Sequence, residues 1–255
     1  MEPYLSVVVP AYNEERRLPE TLRRIGDYLA QQTYASELLV VDDGSSDRTV
    51  AVARETMSSL IAPVSGCVIE SDHRGKGYTV RKGMLAAGGR FVLFTDADLA
   101  TPIEAVEKLL TLLEAGYDVV IGSREGMGAQ RLAEPWYRHF MGRVFNLLVR
   151  IIAGAKYQDT QCGFKAFQRD AAHDLFQSLQ LYGAGARVIK GSAVTAFDVE
   201  VLFLADKRGY KVREVPVQWC YGEDTKVNPL RDSIRNFQDV LRVRLNDWRG
   251  AYRRS

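Results

Sequence analysis

The sequence predicts an α/β fold with a mostly parallel sheet and helices on both faces. Two observations carry that expectation. Through the first half, short β-branched runs alternate with amphipathic helical patterns, the rhythm of strand–helix–strand units. Those runs also end in acidic or glycine residues, where open parallel sheets collect their ligands. With 255 residues, the chain is long enough to bury a full core as one domain.

The elements follow in order. "LSVVVPAY", "ELLVVDDG", "GCVIESD", "GRFVLFTDAD" and "YDVVIGSR" are the strand-like runs. Between them, "EERRLPETLRRIGDYLAQQ", "SSDRTVAVARETMSSL", "GKGYTVRKGMLAAG" and "TPIEAVEKLLTLLEAG" read as helices. In the second half, residues 135–155 space Tyr137, Phe140, Met141, Val144, Leu148, Ile151 and Ile152 as one face of a helix. "FDVEVLFLADKRGYKVREVPVQW" reads as a helix and then a strand, and residues 231–254 as a final basic helix. Three glycines and no clear period in "YGAGARVIKGSAV", 182–194, predict a mobile loop. The expected organisation is a main domain over 1–230 and a C-terminal basic amphipathic helix over 231–255.

Composition narrows the classes. The apolar content of 46%, charged content of 26% and net charge of +2 are ordinary globular values and give no reason to expect a nucleic-acid partner. Cys67, Cys162 and Cys220 are odd in number and widely spaced, against a disulfide framework or zinc site and for a reducing compartment. Each is expected to act as a small buried hydrophobe. No basic and apolar leader precedes "LSVVVP", so no signal peptide is expected. The most apolar long stretch, "VFNLLVRIIAGA", is interrupted by Arg150 and falls short of the roughly 20 residues of a membrane span. A membrane would be met from the side.

The chemistry concentrates at the strand ends: Asp42 and Asp43 at the second, Asp72 at the third, Asp96 and Asp98 at the fourth, Ser123 and Arg124 at the fifth. One such acid is an ordinary helix cap. Several in succession point to one crevice. Asp96-Ala97-Asp98 can turn both carboxylates to one side and hold a hard divalent cation together with substrate phosphates, although Asp98 could instead cap the helix that starts near Thr101-Pro102. The stretch "YQDTQCGFKAF", 157–167, groups Asp159, Gln161, Gly163 and Lys165 in a pattern that fits neither a metal-ligand spacing nor a hydrolase triad.

In this order, PAYNE, DDGSSD, RGKG, DADLATP, GSR and DTQCGFK resemble the inverting family-2 glycosyltransferases with the GT-A fold. "FTDADLATP", "DTQCGFKAF", "FDVEVLFLA" and "VPVQW" are most similar to the dolichyl-phosphate glucosyltransferase branch of the polyprenyl-phosphate sugar synthases. The resemblance covers roughly residues 4–245. It implies a UDP-sugar donor in the crevice, with Pro10, Tyr12 and Glu14 lining the nucleoside pocket and Val41 and Asp43 addressing the base. Lys76 would meet the donor, while Asp96, with Ala97 beside it, would hold ribose or the metal. Asp98 would bind Mg²⁺ or Mn²⁺ bridging the diphosphate, and Arg124 would contact phosphate or sugar. Mannose-using relatives often carry Gln where this chain has Ala100, which favours glucose and leaves one protein ligand fewer.

The acceptor implied is a polyprenyl or dolichyl phosphate, anionic at neutral pH with a second pKa near 6. Such a nucleophile needs positioning more than a base. Gln161 would hydrogen-bond sugar hydroxyls, Gly163 would let the backbone approach closely, and Lys165 would attract phosphate or point to solvent. Asp159 would sit by the sugar or acceptor. It is the positional candidate for a base if the acceptor is a hydroxyl, and its structural alternative is a partner for Arg124. Arg74, Lys76, Arg81 and Lys82 belong to a basic glycine loop opening a helix, which suits phosphate; the alternative for about half of them is a solvated helix face. The basic, aromatic patterns of 135–155 and 231–254 suit an anionic bilayer surface or packing on the core. A peripheral enzyme at the cytoplasmic membrane face is expected, with a homo-oligomer admitted. The alternatives are mannosyl transfer from GDP-mannose and a soluble acceptor.

Overall fold

The computed structural model describes residues 2–132, 142–143, 146–147, 152, 154, 156–189, 196–220 and 229–253. The helix expected over 135–155 falls largely outside these residues, as do 190–194 of the expected loop.

The elements run β1 (Leu5–Ala11), α1 (Leu18–Ala30), β2 (Ser36–Asp42), α2 (Thr49–Ser58), β3 (Val64–Glu70), α3 (Lys76–Ala86), β4 (Phe91–Thr95), a 3₁₀ turn (Ile103–Ala105), α4 (Val106–Glu114) and β5 (Val119–Ser123). They continue with β6 (Gln130–Leu132), β7 (Phe164–Gln168), α5 (Arg169–Gln177), α6 (Phe197–Lys207), β8 (Val212–Pro216), β9 (Gln218–Cys220) and α7 (Pro229–Trp248). The main sheet has seven strands in the order β3-β2-β1-β4-β7-β5-β8, and β6 pairs with β9 apart from it.

Alternation explains the layers. In β1, Leu5, Val7 and Val9 face one core with Leu18, Leu22, Ile25 and Leu29 of α1 and Val106, Leu109 and Leu113 of α4. Val8 faces the other, with Val80 and Met84 of α3, Leu175 and Phe176 of α5, and Val201 and Leu204 of α6. Strands covered on both faces must be apolar at every position, which is why the sequence shows continuous runs there. β3 lies at the sheet edge, so its Cys67 is exposed. Cys220 on β9 is exposed as well, and only Cys162 is the buried hydrophobe expected of all three.

Two features of the topology position the site. The chain moves from β1 outward to β2 and β3, then returns to the other side of β1 with β4. The reversal leaves a crevice between the carboxyl ends of β1 and β4. β7 then inserts antiparallel to both β4 and β5, with Thr95 opposite Phe164 and Ile121 opposite Lys165. An antiparallel strand starts where its parallel neighbours end. Residues 159–163, just before β7, are therefore delivered beside Asp96 and Arg124. No strand is expected from the sequence at 164–168, and the one found there accounts for the grouping in "DTQCGFK".

Among the described residues, no helix is long and apolar enough to cross a membrane. α7 packs on α6, with Val240 beside Ala196 and Val199, while Tyr252 reaches Glu200 at 2.8 Å.

Candidate active site

The first two loops interlock. After β1, the Asn13 amide donates to Ser45 Oγ at 2.9 Å and the Glu14 amide to Thr49 Oγ1 at 2.7 Å. In return, the Ser46 amide donates to Asn13 Oδ1 at 2.8 Å and the Arg48 amide to Glu15 Oε2 at 3.0 Å. Asn13 adopts φ +53°, a left-handed conformation that Asn tolerates better than most residues. Much of PAYNE and DDGSSD thus serves to clamp one loop to the other. Glu14 also pairs with Arg17 Nε at 2.7 Å.

The resemblance puts Pro10 in the nucleoside pocket and Val41 at the base, and both are buried. The Val41 side chain packs in the core with Val8 and Val80, so it can shape the pocket floor but cannot touch a ligand. Tyr12 stacks on His73, with ring centroids 4.0 Å apart and planes 2° from parallel. Asp43 is buried and accepts from His73 Nδ1 at 2.8 Å, the Arg74 amide at 2.8 Å and the Gly75 amide at 3.0 Å. The Gly75 amide also reaches Asp43 Oδ1 at 3.2 Å, so both carboxylate oxygens are engaged and Asp43 holds the 73–75 loop. Gly75, at φ +93°, makes the left-handed turn that glycine accepts without strain.

That turn aims Lys76, whose Nζ lies 2.5 Å from Asp96 Oδ1. Burial alone would depress the Lys76 ammonium, but Asp96, Asp198 and Asp98 outweigh it and raise its pKa. The contact lacks hydrogen-bond geometry, and Asp96 Oδ1 has no hydrogen-bond donor among the described residues. Asp98 is accessible to solvent. Surrounding protein first, and the neighbouring Asp96 charge second, push its carboxyl above the usual range. The turn between these acids and α4 is held by Leu99 at φ +47°, by Thr21 Oγ1 donating to Ala97 O at 2.6 Å, and by the Cys220 amide donating to Ala100 O at 2.8 Å. A left-handed non-glycine residue costs about 1–3 kcal/mol, and such strain is kept where a loop must hold one shape. Ala97 is buried, so of this triplet only the two aspartates present polar side chains.

Gly163 lies against the same acids. A Cβ there would sit 2.1 Å from Asp96 Oδ2, far inside contact distance. The close approach expected of Gly163 is real, but its partner is Asp96.

Beyond Asp96 stands Arg124, 20% exposed, opposite a fully buried Asp159. Asp159 accepts four N–H groups: Arg124 N at 3.0 Å and Nε at 2.7 Å on Oδ2, and Arg124 Nη2 at 2.8 Å and Gln161 N at 3.2 Å on Oδ1. Its acceptor positions are filled. Burial would raise the Asp159 carboxyl, but Arg124 overrides that and holds it far below the ordinary carboxylate range. Glu214 of β8 fixes the backbone beneath, accepting from the Gln158 and Asp159 amides at 2.9 and 2.8 Å. Of the alternatives the sequence left for Asp159, the structure has it paired with Arg124, whose guanidinium it holds in place. Gln161 is half-buried beside this pair.

Lys165 corrects another expectation. It neither reaches phosphate nor meets solvent: it is fully buried, donating to Cys162 O and to Asp198 Oδ1 at 2.6 Å. The basic loop is likewise tied down. Arg74 donates to Ala186 O at 3.1 Å, Arg81 to Phe176 O at 3.0 Å and Lys82 to Glu70 O at 2.6 Å. Of those four cations, Lys76 is the one aimed at the aspartates. Residues 182–189 of the loop expected to be mobile are held there, with the Ile189 amide donating to His73 O at 2.9 Å. Sequence reasoning did not single out Asp198 or Trp219. The Arg124 guanidinium lies 5.3 Å over the Trp219 ring. The available signal was a tryptophan just past a strand in "VPVQW".

The donor set suits a divalent cation. Asp96 and Asp98 are hard oxygen ligands, with the Lys76 ammonium paired to Asp96 Oδ1. Among the described residues, no group of three or more His, Cys, Asp or Glu could hold a metal unaided. Mg²⁺ and Mn²⁺ accept such partial cages when substrate phosphates complete them.

Residues 6–176 match the family described as Glycosyl transferase family 2. The chain belongs to that family. This glycosyltransferase is 35% identical to the protein named dolichyl-phosphate beta-glucosyltransferase of Drosophila melanogaster, over 98% of its own length and 77% of that protein's. The Saccharomyces cerevisiae protein of the same name is 32% identical, with 99% and 77% covered. Glucosyl-3-phosphoglycerate synthase from Mycobacterium tuberculosis, solved with UDP, superposes with a TM-score of 0.64 at 21% identity, over 94% of this chain and 80% of that one. The same enzyme has been solved with Mn²⁺, UDP and glucosyl-3-phosphoglycerate, and that structure superposes with a TM-score of 0.61 at 20% identity. The glycosyltransferase thus has the GT-A fold.

Proposed function

We propose that this glycosyltransferase moves glucose from UDP-glucose to a polyprenyl or dolichyl phosphate, with inversion, at the cytoplasmic face of a membrane. One observation carries the choice of acceptor. Asp159, in the position for a base, has every acceptor site filled and a carboxyl held strongly ionised. A site without a base at that position suits a nucleophile that is already an anion, and Arg124 beside it is an anion partner. The names of the relatives support the same acceptor and sugar.

In this reading, Tyr12, Glu14 and Asp43 receive the nucleoside, over a floor of Pro10 and Val41. Asp96, Asp98 and Lys76 face the diphosphate. A divalent cation held by Asp96 and Asp98 would supply charge to stabilise the departing diphosphate. Gln161 meets sugar hydroxyls. Arg124 orients the acceptor phosphate for in-line attack, a contribution of position and electrostatics.

The test is transfer of radiolabel from UDP-glucose, GDP-mannose or ADP-glucose into butanol-extractable lipid with a short polyprenyl phosphate, with 3-phosphoglycerate as a soluble control. Label from UDP-glucose in the lipid fraction is expected, and ADP-glucose should be the poorest donor because adenine lacks an imide N–H for Asp43. Label confined to the soluble acceptor, or drawn best from GDP-mannose, would sink the assignment.

The outer face of α7 supports a membrane surface. Leu241, Leu245 and Trp248, 39%, 43% and 77% exposed, lie on one stripe with exposed Arg242 and Arg249. The acids facing inward are engaged: Asp239 with Tyr182 and Arg242, and Asp247 with Lys207. A cationic, apolar stripe suits the interface of an anionic bilayer. Sedimentation with phosphatidylserine-containing vesicles is expected to pellet the wild type, and Leu241→Ser/Leu245→Ser/Trp248→Ser to pellet at least about tenfold less. Equal pelleting would remove α7 from the membrane contact.

A further inference from the structure

The geometry points to Trp219 as a positioning residue for Arg124, fixing the plane of the guanidinium and tying it to the turn that carries Asp96 and Asp98. Four observations meet at this residue. Arg124 Cζ lies 5.3 Å from the Trp219 ring centre, within the roughly 6 Å over which a cation is attracted to an indole face. The edge of the same guanidinium is fixed by Asp159 through Nε and Nη2, at 2.7 and 2.8 Å. An edge contact holds a guanidinium mainly within its own plane, and a ring on the face restrains its tilt.

The third observation is the anchoring of β9. The Val217 amide donates to Ser123 O at 3.0 Å, immediately before Arg124, and the Cys220 amide to Ala100 O at 2.8 Å, two residues beyond Asp98. Four residues of chain therefore join the backbone beside Arg124 to the backbone beside Asp98, with Trp219 between the two bonds. The fourth is register. Trp219 pairs with Arg131 across the two-stranded β6–β9 sheet, so its backbone is set by a neighbouring strand, and the ring is half-buried.

Trp219 thus lies over an arginine held by a fully buried carboxylate, on a strand bonded to the acidic turn. Charge that develops between the two poles of the site would meet both in a fixed relation, without reorganisation when the substrates arrive.

The inference concerns the relation of Trp219 to Arg124 and holds for any anionic acceptor. The experiment combines a double-mutant cycle with the fluorescence of this tryptophan. Trp219→Leu is expected to lower kcat/KM about tenfold, acting on kcat and acceptor KM more than on donor KM, while Trp219→Phe retains most activity because it keeps a ring face. In an Arg124→Leu background, Trp219→Leu should cost less than about twofold more, since the two act as one unit. In a Trp136→Phe/Trp248→Phe protein, Trp219 is the remaining tryptophan of the three in the chain. Adding UDP and Mn²⁺, and then inorganic phosphate, should shift its emission, and Arg124→Leu should abolish the shift on phosphate. Independent losses in the cycle, or the same phosphate response without Arg124, would overturn the proposal. The emission readout stands even where the double variant is too slow to assay. Failure to label lipid, with the cycle still coupled, would count against the proposed acceptor and leave Trp219 in its role.

Discussion

Asp98→Asn is expected to lower kcat by about 10²–10³-fold with the fold intact. The loss follows from the charge Asp98 contributes toward a cation on the leaving diphosphate, a contribution worth several kcal/mol, with about 1.4 kcal/mol for each tenfold in rate. The intact fold follows from the local geometry. Asp98 is solvent-accessible, and its carboxylate accepts from the Ala100 amide at 3.1 Å, a bond the Asn carbonyl can still accept. Its carboxyl is pushed up by surrounding protein and by Asp96, so ionisation there works against the cation-free fold. The neutral variant should melt at or slightly above the wild-type temperature. Steady-state rates, Mn²⁺ calorimetry in the presence of UDP and a thermal melt check all three parts. Retention of more than about a tenth of kcat, a cost below about 1.4 kcal/mol, would remove Asp98 from the metal site.

Asp159→Ala is expected to act in the opposite way, on the fold as well as the rate. It removes the carboxylate from a buried ion pair and leaves Arg124 without its anchor, a change that typically costs about 3–5 kcal/mol. For a chain of this size, that corresponds to roughly 10 °C in melting temperature. The pH dependence separates this role from general-base catalysis. The folded Asp159 carboxyl is depressed, so its stabilising contribution is fully present above the ordinary carboxylate pKa of about 3.9. It is lost only as pH falls below that value toward the native one. Between pH 5 and 9 Asp159 does not titrate. The acid limb of kcat/KM should instead follow the second ionisation of the acceptor phosphate near 6, and Asp159→Asn, though slower, should keep a limb at the same pH. A limb present in the wild type and absent from Asp159→Asn would identify a base, and the phosphate acceptor would then give way to a hydroxyl.

The two predictions rest on residues that read alike in the sequence, and the difference lies in what surrounds them. Asp98 and Asp159 are both acids within short motifs, "DADLATP" and "DTQCGFK". One ends a strand that was legible from its β-branched run, on a turn open to solvent. The other precedes a strand that was not legible at all, because "FKAFQ" is short, contains a lysine and follows no clear turn.

The sequence by itself determined the alternation of strands and helices and the placement of Asp43, Asp96 and Arg124 at strand ends. It also carried the family. These depend on periodicity and on strand boundaries, which are properties of neighbouring residues. The tertiary structure decided the pairings: Asp159 with Arg124, Lys165 with Asp198, Asp43 with the 73–75 loop, and Arg124 over Trp219. Their partners lie 30 or more residues apart, and strand order brings them together. Lys165 shows the reason most plainly. In β7 it alternates into the core and is fully buried there. A buried ammonium must find a carboxylate or lose its charge, and Asp198, on a helix 33 residues further along, meets it at 2.6 Å. Whether a charged side chain serves the site or the core is thus set by the direction and position of its strand, which no local pattern records.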